Sequence, residues 1–241
     1  MNDTPGESVD RYAGYAQWKR WQGVFEVSER DARYFAAEFR DMPLRGKRVL
    51  EIGFGNGNFL AWAKSEGAEI SGLEINPDML AAAARHGYAA RNAALGALVG
   101  EDARYDLIVA FDVIEHWDTD ELMANVRHIA ALLADGGMFL ARFPNGHSPF
   151  GRVYQHGDFT HKSVISHYKI GYLATISHLD VVRVSNVRRV SSRPGALRAL
   201  RHRWLALRRA WIERSISRLY GTDRLPLDPN LVAVLRKSPL G

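Results

Sequence analysis

The chain has 241 residues, 46% of them hydrophobic, enough to bury one substantial core, so a single domain with appendages is expected. Cysteine is absent, which excludes disulfides and thiolate chemistry. The net charge of +5 admits nucleic acid or an anionic membrane surface as partners, but the excess lies late in the chain. The stretch from Met1 to Glu7 lacks the basic-then-apolar layout of a signal peptide, and no run approaches the roughly 18 apolar residues of a membrane span. A soluble, cytoplasmic protein is expected.

Residues 1–46 read as a helical extension. Tyr12, Tyr15, Trp18, Trp21 and Phe25 recur at three- and four-residue spacing near one helical face. They suit either core cover over a sheet or a lid that closes over bound ligands. A second helix, from about Ser28 to Asp41, leads through Pro43 and Gly46 into the rest of the chain, 47–241, read as one domain.

That domain is organised around Val49 to Leu60. Val49 to Ile52 is the short apolar run of a strand buried on both faces, broken only by Glu51. Gly53, Gly55 and Gly57 then alternate with larger residues, which suits a turn that lets a flat ligand approach the main chain. A helix follows from Asn58 to Ser65, and a second strand over Ile70 to Ile75 carries Glu74 at its carboxyl end. Strand, glycine loop, helix, strand and terminal acid make the first half of a nucleotide-binding α/β sheet. A dinucleotide site wants Gly-x-Gly-x-x-Gly, whereas the spacing here is Gly-x-Gly-x-Gly with an acid two positions before the first glycine.

These residues resemble motif I of the class I methyltransferases that use S-adenosylmethionine. The resemblance implies a Rossmann-like, mostly parallel seven-stranded sheet of order 3-2-1-4-5-7-6 with helices on both faces. It also implies that Glu51, Gly53, Phe54, Gly55, Gly57, Glu74, Ile75, Asn92, Asp112 and Val113 contact S-adenosylmethionine. Such a cofactor has no pyrophosphate but does carry a cationic amino group and a sulfonium, so an acid beside the loop is apt. Glu74 would accept from both ribose hydroxyls. Asn92 ends a short third strand, Tyr88 to Arg91, where the family commonly has an acid for the adenine amino group; an amide oxygen can still accept that bond.

Tyr105 to Phe111 reads as the fourth strand, with Asp112-Val113-Ile114-Glu115-His116-Trp117 at its carboxyl end, the edge at which ligands sit in open α/β sheets. The segment resembles the post-strand motif of small-molecule methyltransferases, including those acting on ubiquinone precursors and on sugars. Acids from Asp118 open a helix running to about Leu133, and Met138 to Phe143 is the fifth strand. Residues 145–161 read as a long loop rich in histidine, in which Asp158-x-Thr160-His161 resembles a segment of methyltransferases from polysaccharide pathways. His116 and His161 are the candidate general bases, with Asp158 to orient a histidine or bind a sugar hydroxyl. Asp112 and Glu115 beside His116 could alternatively hold a divalent ion, but carboxylates beside one histidine signal a metal weakly, and none is expected to be required.

A helix from about Ser163 to Ser177 and a sixth strand from Leu179 to Val190 follow, with the seventh strand at Asn230 to Lys237. Between them 193–220 is a basic amphipathic insert whose apolar positions include Leu197, Leu200, Trp204, Leu207, Trp211, Ile212, Ile216 and Leu219. It suits a cap or homodimer contact, a peripheral membrane contact, or, with no recognisable motif in support, a nucleic-acid patch. The expected function is methyl transfer, at oxygen, to a small-molecule or glycan-linked acceptor. A quinone or other membrane-associated acceptor is the alternative, and a non-catalytic module that only binds S-adenosylmethionine is the alternative outside the enzymes.

Overall fold

Strand alternation decides which face each residue of the sheet covers. The computed structural model of the protein describes residues 23–101, 104–190, 196–223 and 226–238, with side chains for all of these but 196–199 and 202. The aromatic positions Tyr12 to Trp21 of the extension lie outside the described residues. The elements are α1 (Glu29–Glu38), β1 (Arg48–Ile52), α2 (Asn58–Ser65), β2 (Glu69–Leu73), α3 (Pro77–Arg85), β3 (Ala89–Arg91), α4 (Leu95–Leu98) and β4 (Tyr105–Phe111). After a 3₁₀ turn at Ile114–His116 come α5 (Thr119–Leu132), β5 (Leu133–Pro144), α6 (Arg152–His156), α7 (His167–Ile176), β6 (Leu179–Asn186), α8 (Ala196–Tyr220) and β7 (Asn230–Lys237).

The seven strands form one sheet of order β3-β2-β1-β4-β5-β7-β6, as expected. The pairings from β3 through β5 are parallel, and β7 runs antiparallel to both β5 and β6. Leu50, Ile52, Ile108, Ala110, Phe139 and Phe143 turn to one face, where Val126 and Ile129 of α5 and Ile170 and Leu173 of α7 cover them. Val49, Leu107, Val109 and Leu140 turn to the other, under Phe35 of α1, Phe39 at its carboxyl cap, and Phe59 and Trp62 of α2. The period of two in the strands and the i, i+4 spacing of Phe35 and Phe39 thus meet across a single core layer on each side. Ser28 caps α1 by accepting from the Asp31 amide at 3.1 Å, and Asp118 with Glu121 forms a reciprocal capping box on α5.

Several boundaries differ from the sequence reading: β2 spans Glu69–Leu73 rather than Ile70 to Ile75, and β5 starts at Leu133 rather than Met138. α7 starts at His167 rather than Ser163, because the Lys162 and Ser163 amides donate to the Glu115 carbonyl and Ser166 is the residue that caps the helix. β6 ends at Asn186 rather than Val190, because the Arg188 amide donates to the Glu38 carboxylate, at 2.5 Å, instead of to a strand. The long loop after β5 contains the short helix α6, and α4 follows β3; both are too short to show a helical period in sequence.

Candidate active site

The glycine loop between β1 and α2 is shaped by backbone angles and by what presses on it. Gly53 has φ +65°, and a Cβ there would come within 2.7 Å of Val113 Cγ2, so the loop and the segment after β4 touch at a point with no room for a side chain. Gly57, at φ +75°, lies under the ring of Phe25, which would sit 2.3 Å from a Cβ. Phe25 is fixed in turn by its amide donating to the Asn56 carbonyl at 2.7 Å and by stacking on Tyr88 at 4.5 Å between ring centres. The chain entering α1 therefore crosses the loop.

Glu74 closes the loop from the other side. One carboxylate oxygen accepts from the Gly55 amide at 2.8 Å, and the other accepts from the Ile75 and Asn76 amides at 2.8 and 3.0 Å. This acid latches the glycine loop to the end of β2. Oε2, with one described donor, keeps acceptor capacity for a hydroxyl beyond it. Glu51 is in a different condition. It is only 3% exposed, its Oε2 has no hydrogen-bond partner, and its pKa is raised well above the usual carboxylate range. Burial is the main cause and the neighbouring Glu74 charge adds to it; the Leu60 amide and the Arg142 guanidinium pull the other way.

A cleft of about 1090 Å³ opens over these groups along the carboxyl edge of the sheet. Glu51, Gly53, Phe54, Gly55, Glu74, Ile75, Asn92, Asp112, Val113 and His116 all line it. Gly57, Asp158 and His161 are not among its lining residues. Gly57 instead shapes the turn beneath Phe25. His161 and Asp158 lie one layer back: the His116 and His161 rings meet edge to face at 4.7 Å, and His161 Nε2 is 3.7 Å from Asp158 Oδ2 and 3.9 Å from Glu115 Oε1. Asp158 also accepts from the Thr160 amide and hydroxyl. His116 Nδ1 is 3.3 Å from the Thr160 carbonyl, which assigns the proton to Nδ1 and the basic lone pair to Nε2 in the neutral ring.

The structure adds two residues that the sequence reading did not single out. Arg142 of β5 forms a two-pronged ion pair with Asp112, with Nε to Oδ1 at 2.9 Å, and its guanidinium lies 5.5 Å from the Tyr34 ring centre. Burial would lower the Arg142 pKa, but the Asp112 charge and Tyr34 more than reverse that, so the ion stays charged. Burial pushes the Tyr34 phenol up to about 12, against the pull of Arg142. Asp112 itself has φ +56°, a left-handed conformation that a non-glycine residue holds at a cost of about 1 kcal/mol. The Asp112 amide donates to the Arg142 carbonyl at 2.8 Å, so backbone and side chain both tie it to β5. The signal available in sequence was an arginine inside an apolar strand near its ligand edge. Asp112 is thus committed to Arg142, and among the described residues the ones whose donor atoms come together, within 4.8 Å of one another, are Glu115, His116 and His161.

Comparison with known proteins places this cleft in context. A family model described as a methyltransferase domain matches residues 27–184. Among curated proteins, the ubiquinone biosynthesis O-methyltransferase of Methylobacterium nodulans is 30% identical over 166 residues, covering 58% of this chain and 66% of that one. Its counterpart from Methylocella silvestris is 29% identical over 122 residues, 46% of this chain and 47% of that one. The chain therefore spans less than two thirds of the length of these relatives. Among solved structures, a SAM-dependent methyltransferase from Archaeoglobus fulgidus superposes with a TM-score of 0.64 at 19% identity, covering 95% of this chain and 100% of that one. Magnesium protoporphyrin IX methyltransferase from Synechocystis, with bound SAH, gives 0.60 at 16% identity, covering 95% and 96%. At these identities the structural likeness speaks for the fold.

Proposed function

The chain belongs to the methyltransferase-domain family, and on that premise we propose that it transfers a methyl group from S-adenosylmethionine to a hydroxyl oxygen of a small-molecule acceptor, a phenolic ring of the quinone-precursor kind. The observation that carries the cofactor assignment is Glu51: a buried carboxylate in the lining of the cleft beside the glycine loop, with one oxygen lacking a hydrogen-bond partner among the described residues, calls for a cation. The ammonium group of S-adenosylmethionine fits that demand. Glu74 Oε2 would hold a ribose hydroxyl, and Asn92 would hold the adenine amino group. When bound, S-adenosylmethionine supplies an electrophilic methyl carbon on a good leaving group.

The chain's own residues then position the acceptor, exclude water and take a proton. His116 lines the cleft, with Nδ1 tied to Thr160, and its Nε2 accepts the acceptor's hydroxyl proton. His161, behind it, holds the imidazole's orientation, with Asp158 and Glu115 close by. Asp112, pinned by Arg142, keeps Val113 against Gly53 in the lining of the cleft. Asp31, Tyr34 and Phe35, which fall within residues 1–46, line the cleft, and this supports the reading of the amino-terminal extension as a cover for it. A required metal is not part of this mechanism; activity lost to a chelator and restored by magnesium would add one.

Titration calorimetry with S-adenosylmethionine and S-adenosylhomocysteine, with NAD as control, tests the cofactor. Heat from the sulfur nucleotides alone is expected, and heat from NAD alone would overturn the assignment. Mass spectrometry of products from a panel of catechols, other phenols and nucleotide-sugars then tests the acceptor. A gain of one methyl on a phenol oxygen is expected. Methylation of a nucleotide-sugar instead would favour a glycan-linked acceptor, the second reading, supported by the resemblance of Asp158-x-Thr160-His161 to glycan-pathway enzymes. Cofactor binding with no product in the full panel would favour a non-catalytic module.

A further inference from the structure

Helix α8 presents its apolar residues outward. Leu200, Trp204, Leu207 and Trp211 follow at four-, three- and four-residue steps and fall within about 60° of arc on the helix. They are 66%, 52%, 71% and 66% exposed. Arg203 and Arg214 border this stripe on one side, Arg201 and Arg208 on the other, and all four are exposed. The Arg208 guanidinium lies 4.8 Å from the Trp204 ring centre. The side turned to the protein is the polar one. Glu213 and Ser217 are buried, with Glu213 Oε1 accepting from the Asn186 amide group at 2.6 Å and from the Leu227 backbone at 3.0 Å, and Ser217 Oγ donating to the Asp223 carbonyl at 3.2 Å. An amphipathic helix that packs on its own protein turns its apolar stripe inward; this one is held by polar contacts with the stripe facing out.

Charge and position identify what the stripe fits. The helix carries seven arginines, and its single acid is the buried Glu213, so its exposed surface carries positive charge with no acid to offset it. The helix joins the carboxyl end of β6 to the start of β7, and the registers Asn186 to Leu231 and Pro144 to Asn230 put those two strand ends at the edge of the sheet where the cleft opens, to which Glu213 ties the helix through Asn186 and Leu227. The segment after β5 is bonded to the same corner, through Ser148 Oγ to the Leu227 carbonyl at 2.6 Å, and exposes Phe150, Val153 and Phe159.

We propose that α8 is a docking surface for an anionic lipid bilayer: its tryptophans and leucines enter the interface while the flanking arginines pair with lipid phosphates, so that the cleft edge meets the membrane. This deepens the O-methyl transfer reading, on which it rests only for the acceptor: a ring with a long apolar tail would be taken directly from the bilayer. A second copy of the chain would have to set two arginine-rich faces against each other, which like charges oppose.

The test is co-sedimentation of the full chain, without cofactor or acceptor, with vesicles of phosphatidylcholine alone and of phosphatidylcholine with phosphatidylglycerol. At least tenfold greater partitioning onto the phosphatidylglycerol vesicles is expected. The double variant Trp204→Ser with Trp211→Ser should lose at least tenfold of that binding, and Arg203→Glu with Arg214→Glu should lose it as fully, both keeping S-adenosylhomocysteine binding as the check on the fold. Equal partitioning onto both vesicles, or variants that bind as the parent does, would overturn the proposal. So would a dimer in sedimentation velocity that the tryptophan variant converts to monomer while vesicles bind neither form. None of these outcomes depends on the methyl acceptor, so failure here leaves the catalytic reading standing, and an inactive but vesicle-bound protein does the reverse.

Discussion

Glu51 is buried, and one of its carboxylate oxygens has no hydrogen-bond partner among the described residues. Its raised pKa means that the folded protein retains a proton which the unfolded chain gives up near pH 4.3, so folding is penalised as pH rises above that value and unpenalised below it. Glu51→Gln should therefore stabilise the ligand-free protein at pH 8 by about 1 kcal/mol, or roughly 2–4 °C in Tm for a chain of this size, with the gain fading toward pH 4. The same variant should bind S-adenosylmethionine about 10- to 100-fold more weakly, because a charge-assisted bond is lost. Thermal melts across pH with calorimetry check both; a variant destabilised at pH 8 with unchanged affinity would make Glu51 a structural residue. His116 and His161 separate by kinetics. His116→Ala should cost about 100-fold or more in kcat with cofactor affinity kept. His161→Ala should cost less and shift the pH profile of kcat, as expected of a residue acting through the His116 ring; an unshifted profile with unchanged kcat would reduce it to packing.

At the level of elements, the site is a set of strand ends held together by latches. Glu74 is the latch on the glycine loop, its two oxygens accepting three backbone amides. Glu74→Ala should weaken S-adenosylmethionine binding by about 10- to 100-fold and should speed hydrogen exchange at Gly55, Ile75 and Asn76, which lose their acceptor. Unchanged affinity would remove Glu74 from the cofactor site, and faster exchange alone would leave it the loop's brace. The elements themselves were largely legible. β4 and β7 read from Tyr105 to Phe111 and from Asn230 to Lys237 because continuous apolar runs start and stop there, and α3 read from Asn76 and Pro77 because cap and first-turn proline are local signals. The long-range latches were not legible. Nothing near Arg142 in sequence names Asp112, 30 positions away, as its partner, and nothing near Glu38 names Arg188, whose backbone ends β6. His161 was visible as a histidine near the pocket, but its place behind His116 depends on how the chain from Thr160 to Ile165 folds back along Glu115 and toward Gly146.

Across the whole molecule the charge is segregated. The net charge is +5, while α8 alone contributes +6 from seven arginines and one glutamate, so the remaining residues are together slightly acidic at −1. The net basic excess visible in composition thus belongs to one helix, and the rest of the chain is close to neutral. Among the described residues no helix is long and apolar enough to cross a membrane, so attachment through α8 would be peripheral and reversible. Each arginine near an anionic surface contributes about 1 kcal/mol, and that contribution shrinks as the Debye length falls from about 14 Å near 0.05 M salt to about 4 Å near 0.5 M. Turnover of a phenol with a long apolar tail, supplied in phosphatidylglycerol vesicles, should therefore drop by about tenfold or more over that salt range. Turnover of a short, water-soluble phenol should hold nearly constant, because the cleft's own contacts are buried and weakly screened. Steady-state assays of the two acceptors at both salt concentrations check this, and a parallel fall for both would place the salt effect in the cleft rather than on the helix.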